Sequence, residues 1–216
     1  MERLPLFPLR VVLIPHNTLP LHVFEDRYRL MIGRCLDEKA PFGVVLIRSG
    51  EEVGGPAEPY DIGAVARISR VQRLPDGRMN LLVFGEHRFR IRALDTSEPY
   101  LIGDVEPLDT IGSAATETAD AARQVAERFA EHFRLTMAVS DQWMRDLDLP
   151  DDPDILADFV AGHIDVDAET KQELLETLSV PDRLRRELDL LDGCIGALAD
   201  RWEERQRRKF AGGVLN

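Results

Sequence analysis

Neither of the two cysteines, Cys35 and Cys194, stands in a C-x-x-C pair or beside paired histidines, which argues against a zinc knot and against a catalytic dithiol. Both sit in apolar helical patterns and read as reduced core thiols. Long apolar runs are also missing. No stretch reaches the roughly 18 residues of a membrane span, and the start MERLPLFPLR lacks the basic segment and apolar core of a secretion signal. A soluble cytoplasmic protein is the expectation. Positive charge is scarce: 27 basic residues face 39 acidic ones, a net charge of -12. A phosphate backbone would be repelled over most of such a surface, so generic nucleic-acid binding is disfavoured. The imbalance lies mainly in the second half, where residues 111–216 carry 13 basic and 23 acidic groups against 14 and 16 in residues 1–110.

Signatures of catalysis are absent as well. A nucleotide-driven enzyme needs a glycine-rich phosphate cradle ending in Lys, and no G-x-x-x-x-G-K-[ST] occurs. The pair Gly54-Gly55 is followed by Pro and reads as a surface loop. No serine stands in G-x-S-x-G. A triad built from distant residues escapes such a search, so a small-molecule enzyme remains an alternative. The histidines His16, His22, His87, His132 and His163 lack the i, i+3 or i, i+4 spacing that puts two imidazoles on one helix face. The carboxylates Asp141, Asp146, Asp148, Asp151, Asp152 and Asp154 lack the Gly and terminal Glu of a calcium loop, and they read as a solvated interhelical segment. No cofactor and no metal are expected.

What is present divides in two. Hydrophobic residues make up 44% of the chain, enough for a sizeable core. Up to Thr110 they come in short runs broken by Pro and Gly: Val11 to Ile14, Phe42 to Ile47, Ala64 to Ile68, Leu81 to Phe84, Tyr100 to Val105. Runs of this length read as strands. Leu74-Pro75-Asp76-Gly77 predicts a hairpin between Arg67–Arg73 and Met79–Phe84, and Gly85-Glu86 a second tight turn leading into His87–Leu94. One helix is expected from Asp26, where Tyr28, Met31, Ile32, Cys35 and Leu36 recur at helical spacing. After Gly112 the pattern is helical: 115–138, 153–164, 168–178 and 181 to about 208. Leu184, Leu188, Leu191, Ile195, Leu198 and Trp202 form a bundle or coiled-coil seam along the last helix, which leaves the oligomeric state open. The expected fold class is α+β, a β-rich domain over 1–111 with one packed helix and a helical bundle over 112–216.

Two segments have binding interest on physical grounds. Arg88, Arg90 and Arg92 alternate with Phe89, Ile91 and Ala93, so on a strand they share one face. They read as a solvated face balanced by Glu86 or Glu98, or as a contact for anions or peptide carboxylates. Leu4, Leu6, Phe7 and Leu9 lie in a Pro-interrupted segment that cannot fully pair with neighbouring strands. They either plug the interior or leave an apolar patch suited to gripping another polypeptide.

The order Leu6-Phe7-Pro8-Leu9, Val12-Leu13-Ile14-Pro15, Leu19 to Glu25, Arg27-Tyr28 and Met31 closely resembles the opening signature of the amino-terminal domain of Lon proteases. Further matches are Phe42-Gly43-Val44, Asp61-Ile62-Gly63, Pro75 to Arg78, Pro99-Tyr100, Leu156-Ala157-Asp158, Lys171 to Glu176 and Arg183-Leu184, so the resemblance covers about residues 4–192. It implies a six-stranded PUA-like pseudo-barrel, of a kind also seen in RNA-modifying accessory domains, followed by a helical subdomain. It also implies contact with unfolded or damaged polypeptides, without the ATPase or the Ser-Lys protease of full-length Lon. Within the signature, Leu13, Phe24 and Tyr28 look like core, while Glu25 and Arg27 form either an internal ion pair or cap, or a partner contact. The leading expectation is a non-enzymatic module that binds other polypeptides, clients or a protease or chaperone. An RNA-binding protein, or a small-molecule enzyme in the barrel mouth, is the alternative.

Overall fold

The computed structural model describes residues 2–55, 57–114, 116–140 and 147–212. They form two compact units. The first comprises Met1–Thr110 and Val166–Leu178, the second Ile111–Asp165 and Ser179–Asn216. The fold class is α+β, with seven strands and five helices among the described residues.

In the first unit the strands are β1 (Glu2–Leu9), β2 (Thr18–Val23), β3 (Phe42–Gly50), β4 (Ala57–Pro59), β5 (Ile62–Arg73), β6 (Met79–Asp95) and β7 (Leu101–Leu108). Antiparallel pairing runs β1-β7-β6-β5-β3. A parallel register of Leu6–Leu9 on Gly43–Leu46 then joins β3 back to β1, so the pairing closes into a ring. β4 is added to β3, and β2 to β6. β1 shows why its sequence reads as an apolar run rather than an alternation: it is covered on both faces. Leu4 and Leu6 pack with Val45, Val65, Phe89 and Val105. Phe7 and Leu9 pack on the opposite side with Tyr28, Met31 and Ile32 of helix α1 (Asp26–Glu38). The prolines are accommodated because β1 changes partner at Leu6, pairing with β7 over Glu2–Leu6 and with β3 over Leu6–Leu9. Over most of its length one edge needs no donor, so Pro5 and Pro8 cost no ladder bond there.

Three local expectations are corrected. Val11 to Ile14 form no strand; they lead to a turn in which His16 has φ 61°. The strand of this region is β2 instead. Gly85-Glu86 is not a turn either, because β6 runs continuously through it. Gly85 is where the 14–17 segment crosses the sheet: His16 N–H donates to Gly85 O at 2.8 Å and Gly85 N–H to Asn17 O at 2.9 Å. A Cβ on Gly85 would meet Ile14 O at 2.7 Å. A glycine that looks like punctuation thus serves close backbone approach. Phe24, read as core, is 46% exposed, whereas Leu13 and Tyr28 are buried. The hairpin at 74–78 forms as expected, with Gly77 at φ 82° donating to Leu74 O.

Helix α4 (Ala168–Glu176) belongs with the strands, whereas the sequence pattern had placed it among the helices of 112–216. Its ties are specific. Gln172 Nε2 donates to Ile62 O at 2.9 Å and Arg88 Nε donates to Leu175 O at 2.8 Å.

The second unit packs α2 (Thr116–Val139), α3 (Pro153–His163) and α5 (Val180–Gly212) against one another. Asp152 caps α3 by accepting from the Asp154 and Ile155 amides. Asp141 and Asp146 of the acidic segment lie outside the described residues. Asp154 points inward to Arg183 of α5. Arg183 is fully buried and also lies 3.5 Å from the buried Asp158. Along the α5 seam Leu184, Leu191 and Ile195 are buried, while Leu188, Leu198 and Trp202 are only partly covered.

Two outcomes follow for this unit. Arg183→Leu strands Asp158 without its cation, and the loss in chemical denaturation should be about 3–5 kcal/mol, the usual cost of breaking a buried ion pair. His132 is buried beside Phe129, and burial lowers its pKa below the ordinary 6.5. The unfolded chain then takes up a proton that the fold resists, so this contribution is intact above about pH 6.5 and fades as pH falls through the folded value. Unfolding followed from pH 7.5 to 5 should show a shallower pH dependence in His132→Gln than in the parent chain.

Candidate functional site

The residues singled out in the sequence do not assemble into one surface. Leu6, Phe7 and Leu9 are 0%, 5% and 6% exposed, so the apolar segment plugs the interior and no gripping patch exists there. The physical reason is ring closure, which gives β1 a neighbour on each edge and covers both its faces. The arginine stripe is divided. Arg88 is buried and bonded to the end of α4, while Arg92 pairs with Glu106. Arg90, half-buried, stands opposite Glu106 in the β6–β7 register. A bulge between Ile91 and Ala93 breaks the alternation on which a shared face depends.

Glu25 and Arg27 are brought together, and the bond is internal. Arg27 Nε donates to Glu25 Oε2 at 3.1 Å, and its other nitrogens reach the carbonyls of Gly55 and Glu52 at 3.3 and 3.4 Å. The same carboxylate oxygen accepts from the Gly54 amide at 3.2 Å. Glu25 does not cap α1 with its side chain. The pair instead holds the 52–55 loop, and the Arg27 guanidinium lies 4.5 Å from the Tyr28 ring centroid.

That clamp forms one side of a cleft of about 330 Å³. Tyr28, Tyr100, Pro8, Pro99 and Leu94 give it an apolar wall; Glu58 and Glu98 bring carboxylates. Tyr28 is held by a stack on Phe7 at 4.2 Å, and burial raises its phenol pKa, so it stays neutral. Tyr100 is fixed by Arg34, which donates to its hydroxyl at 2.7 Å and pairs with Glu98 at 3.1 Å. Leu94 is 45% exposed. Beyond Tyr100 lies a second hollow of about 270 Å³, lined by Leu4, Pro5, Arg34 and Cys35 among others. Burial pushes the Cys35 thiol up to about 11, which leaves it protonated and inert. Tyr28 and Tyr100 are only 4% and 6% exposed, so their rings form the floor of the cleft, and Leu94 is the apolar side chain that it leaves open to a partner. The matching residues Arg27-Tyr28 and Pro99-Tyr100 were visible in the sequence; their convergence was not, because they lie more than seventy positions apart.

The second unit holds a hollow of about 250 Å³ lined by His132, His163, Asp165, Cys194 and Arg201 among others. Among the described residues no group of three or more His, Cys, Asp or Glu side chains is placed to hold a metal. Also among them, no helix is long and apolar enough to cross a membrane.

Removing the clamp has a local signature. Arg27→Met deletes the donors to Gly55 and Glu52 and leaves Glu25 alone, so the chain should lose about 1–2 kcal/mol. Limited proteolysis should then cut within residues 51–55 several times faster than in the parent.

The family model of the ATP-dependent protease La (LON) substrate-binding domain matches residues 3–193. Lon protease of Azospirillum brasilense is 28% identical over 196 residues, covering 90% of this chain and 24% of the relative. Lon protease of Roseiflexus castenholzii is 32% identical over 192 residues, covering 88% and 24%. The chain thus spans about a quarter of the length of the curated relatives it matches. Among solved structures, the Lon N-terminal domain protein from Xanthomonas campestris superposes with a TM-score of 0.66 at 24% identity, covering 88% of this chain and 98% of that one. The N-terminal domain of Mycobacterium avium complex Lon protease gives 0.64 at 22%, with the same coverage. These two share the fold. With the family model covering most of its length, the chain belongs to the Lon substrate-binding domain family.

Proposed function

We propose that this chain is a non-enzymatic polypeptide-binding module, a PUA-like pseudo-barrel with a helical bundle, that selects unfolded or damaged cytoplasmic proteins by their exposed apolar side chains. The observation that carries the reading is the exposed Leu94 at a cleft floored by Tyr28 and Tyr100, in the strand-rich unit of a chain whose family is named for substrate binding. Apolar and aromatic side chains are what an unfolded polypeptide shows and a folded one hides. Glu58 beside the cleft favours segments that also carry Lys or Arg, Glu98 being already paired with Arg34. The matched family is the substrate-binding part of the parent enzyme, which supports binding without the parent's peptide hydrolysis. The RNA alternative rests on the pseudo-barrel architecture, and Arg88 and Arg92 give it little, since both are engaged within the fold.

The test compares an unfolded, carboxymethylated client with the same client folded. Retention should be restricted to the unfolded form. Leu94→Asp, at an exposed position, should weaken it about tenfold, in the range of one interface anchor. Equal retention of both forms, or an unchanged affinity in Leu94→Asp, would count against the reading.

A further inference from the structure

The β5–β6 hairpin carries a surface that this cleft does not use. β5 pairs with β6 over its whole length, yet with β3 only at Ala64, Val65 and Ala66. Among the described residues, the edge of residues 67–73 that faces away from β6 has no neighbour, because β3 begins at Phe42 and the chain before it turns away into α1. Open edges are ordinarily blunted by shortness, proline, cover, a bulge or charge. β4 is three residues long and ends in Pro59, and β2 carries Pro20. The open part of β5 has neither proline nor cover; what guards it is a bulge between Ile68 and Arg70 and its exposed arginines, which turn away a basic or identical strand and admit an acidic one.

Its charge is distinctive in a chain of net charge -12. Arg67 is neutralised by Glu86. Arg70 and Arg73 are exposed and have no carboxylate partner among the described residues. At the point where β3 and β5 part, a hollow of about 260 Å³ opens between the end of α1 and β5. Leu36, Ala40 and Ile68 form its apolar wall, with Lys39 and Arg67 beside them. Lys39 is exposed and likewise without a carboxylate partner among the described residues. An unpaired strand edge, an apolar socket at one end and three uncompensated cations occur together.

We infer that residues 67–73 accept an extended acidic segment of a partner polypeptide as an added strand. The backbone supplies the ladder bonds, the hollow takes an apolar side chain, and Lys39, Arg70 and Arg73 select carboxylates. A second copy of this chain does not fit, because edge-to-edge pairing would bring the same arginines together. The site shares no residue with the Tyr28–Tyr100 cleft and stands or falls independently of it.

Arg70 and Arg73, three apart on an unbroken stretch, point to opposite faces, so the probe is a fluorescent octapeptide Glu-Glu-Val-Glu-Glu-Val-Glu-Glu, with carboxylates on both faces, titrated by anisotropy into the full chain. It should bind with an affinity that falls as salt rises. The analogue with Lys in place of every Glu should not bind, and methylating alternate backbone amides of the probe should abolish binding. Arg70→Glu combined with Arg73→Glu, both at exposed positions, should weaken binding about tenfold or more with an unchanged melting temperature. Leu94→Asp should leave it unaltered. Equal binding of the Glu and Lys peptides, indifference to amide methylation, or loss in Leu94→Asp but not in the arginine variant would overturn the edge site while leaving the cleft untouched. Binding of single-stranded RNA with the same arginine dependence, and none of the peptide, would also overturn it.

Discussion

The strand-rich unit depends on one close approach: Gly43 and Gly63 flank the ring of Phe89. A Cβ on Gly43 would come within 2.7 Å of both Phe89 and Leu6, and one on Gly63 within 2.5 Å of Val44 O and 2.8 Å of Phe89. Two missing methyl groups therefore let β3 and β5 close around a fully buried aromatic ring. With β3 and β5 held there, β3 can also meet β1 in parallel register. The sheet becomes a ring, and β1 is covered on both faces from Leu4 to Leu9. Pairing of this kind is non-local, joining the first strand to one about forty residues later, and it relies on packing because local propensity does not favour it.

The helical unit uses a different device. Arg183 enters its interior with Asp154 and Asp158 as counter-charges. Hydrocarbon of the same volume would often serve stability as well or better. What a directional ion pair adds is a single register of α5 against α3, since sliding either helix by a turn would leave a charge buried without its partner.

Much of this was legible in the sequence, and the failures share a cause. The change from short apolar runs to helical spacing near residue 111 marks the end of the strands, and α1, α2, α3 and α5 follow from periodicity and capping. What periodicity reports is which face of an element is covered, not by what. It could not show that α4 returns to the strands, nor that Arg88 lies beneath it, because a helix stripe looks the same against a sheet as against another helix. Leu6, Phe7 and Leu9 were ambiguous for a related reason. Apolar residues in a proline-broken segment are exposed if the strand lacks neighbours and enclosed if the ring closes, and closure depends on Gly43 and Gly63, far along the chain. The cleft residues Tyr28 and Tyr100 were likewise legible as individuals and illegible as a pair.

The return of α4 has a genetic consequence. The backbone passes between the two units three times, at residues 110/111, 165/166 and 178/179. No single cut yields either unit whole: a truncation after residue 111 would take from Arg88 its carbonyl acceptor and from Ile62 its amide donor. Recombination at any one of these junctions would therefore leave two incomplete pieces. The family match accordingly spans all the strands, α4 and the first part of α5, residues 3–193.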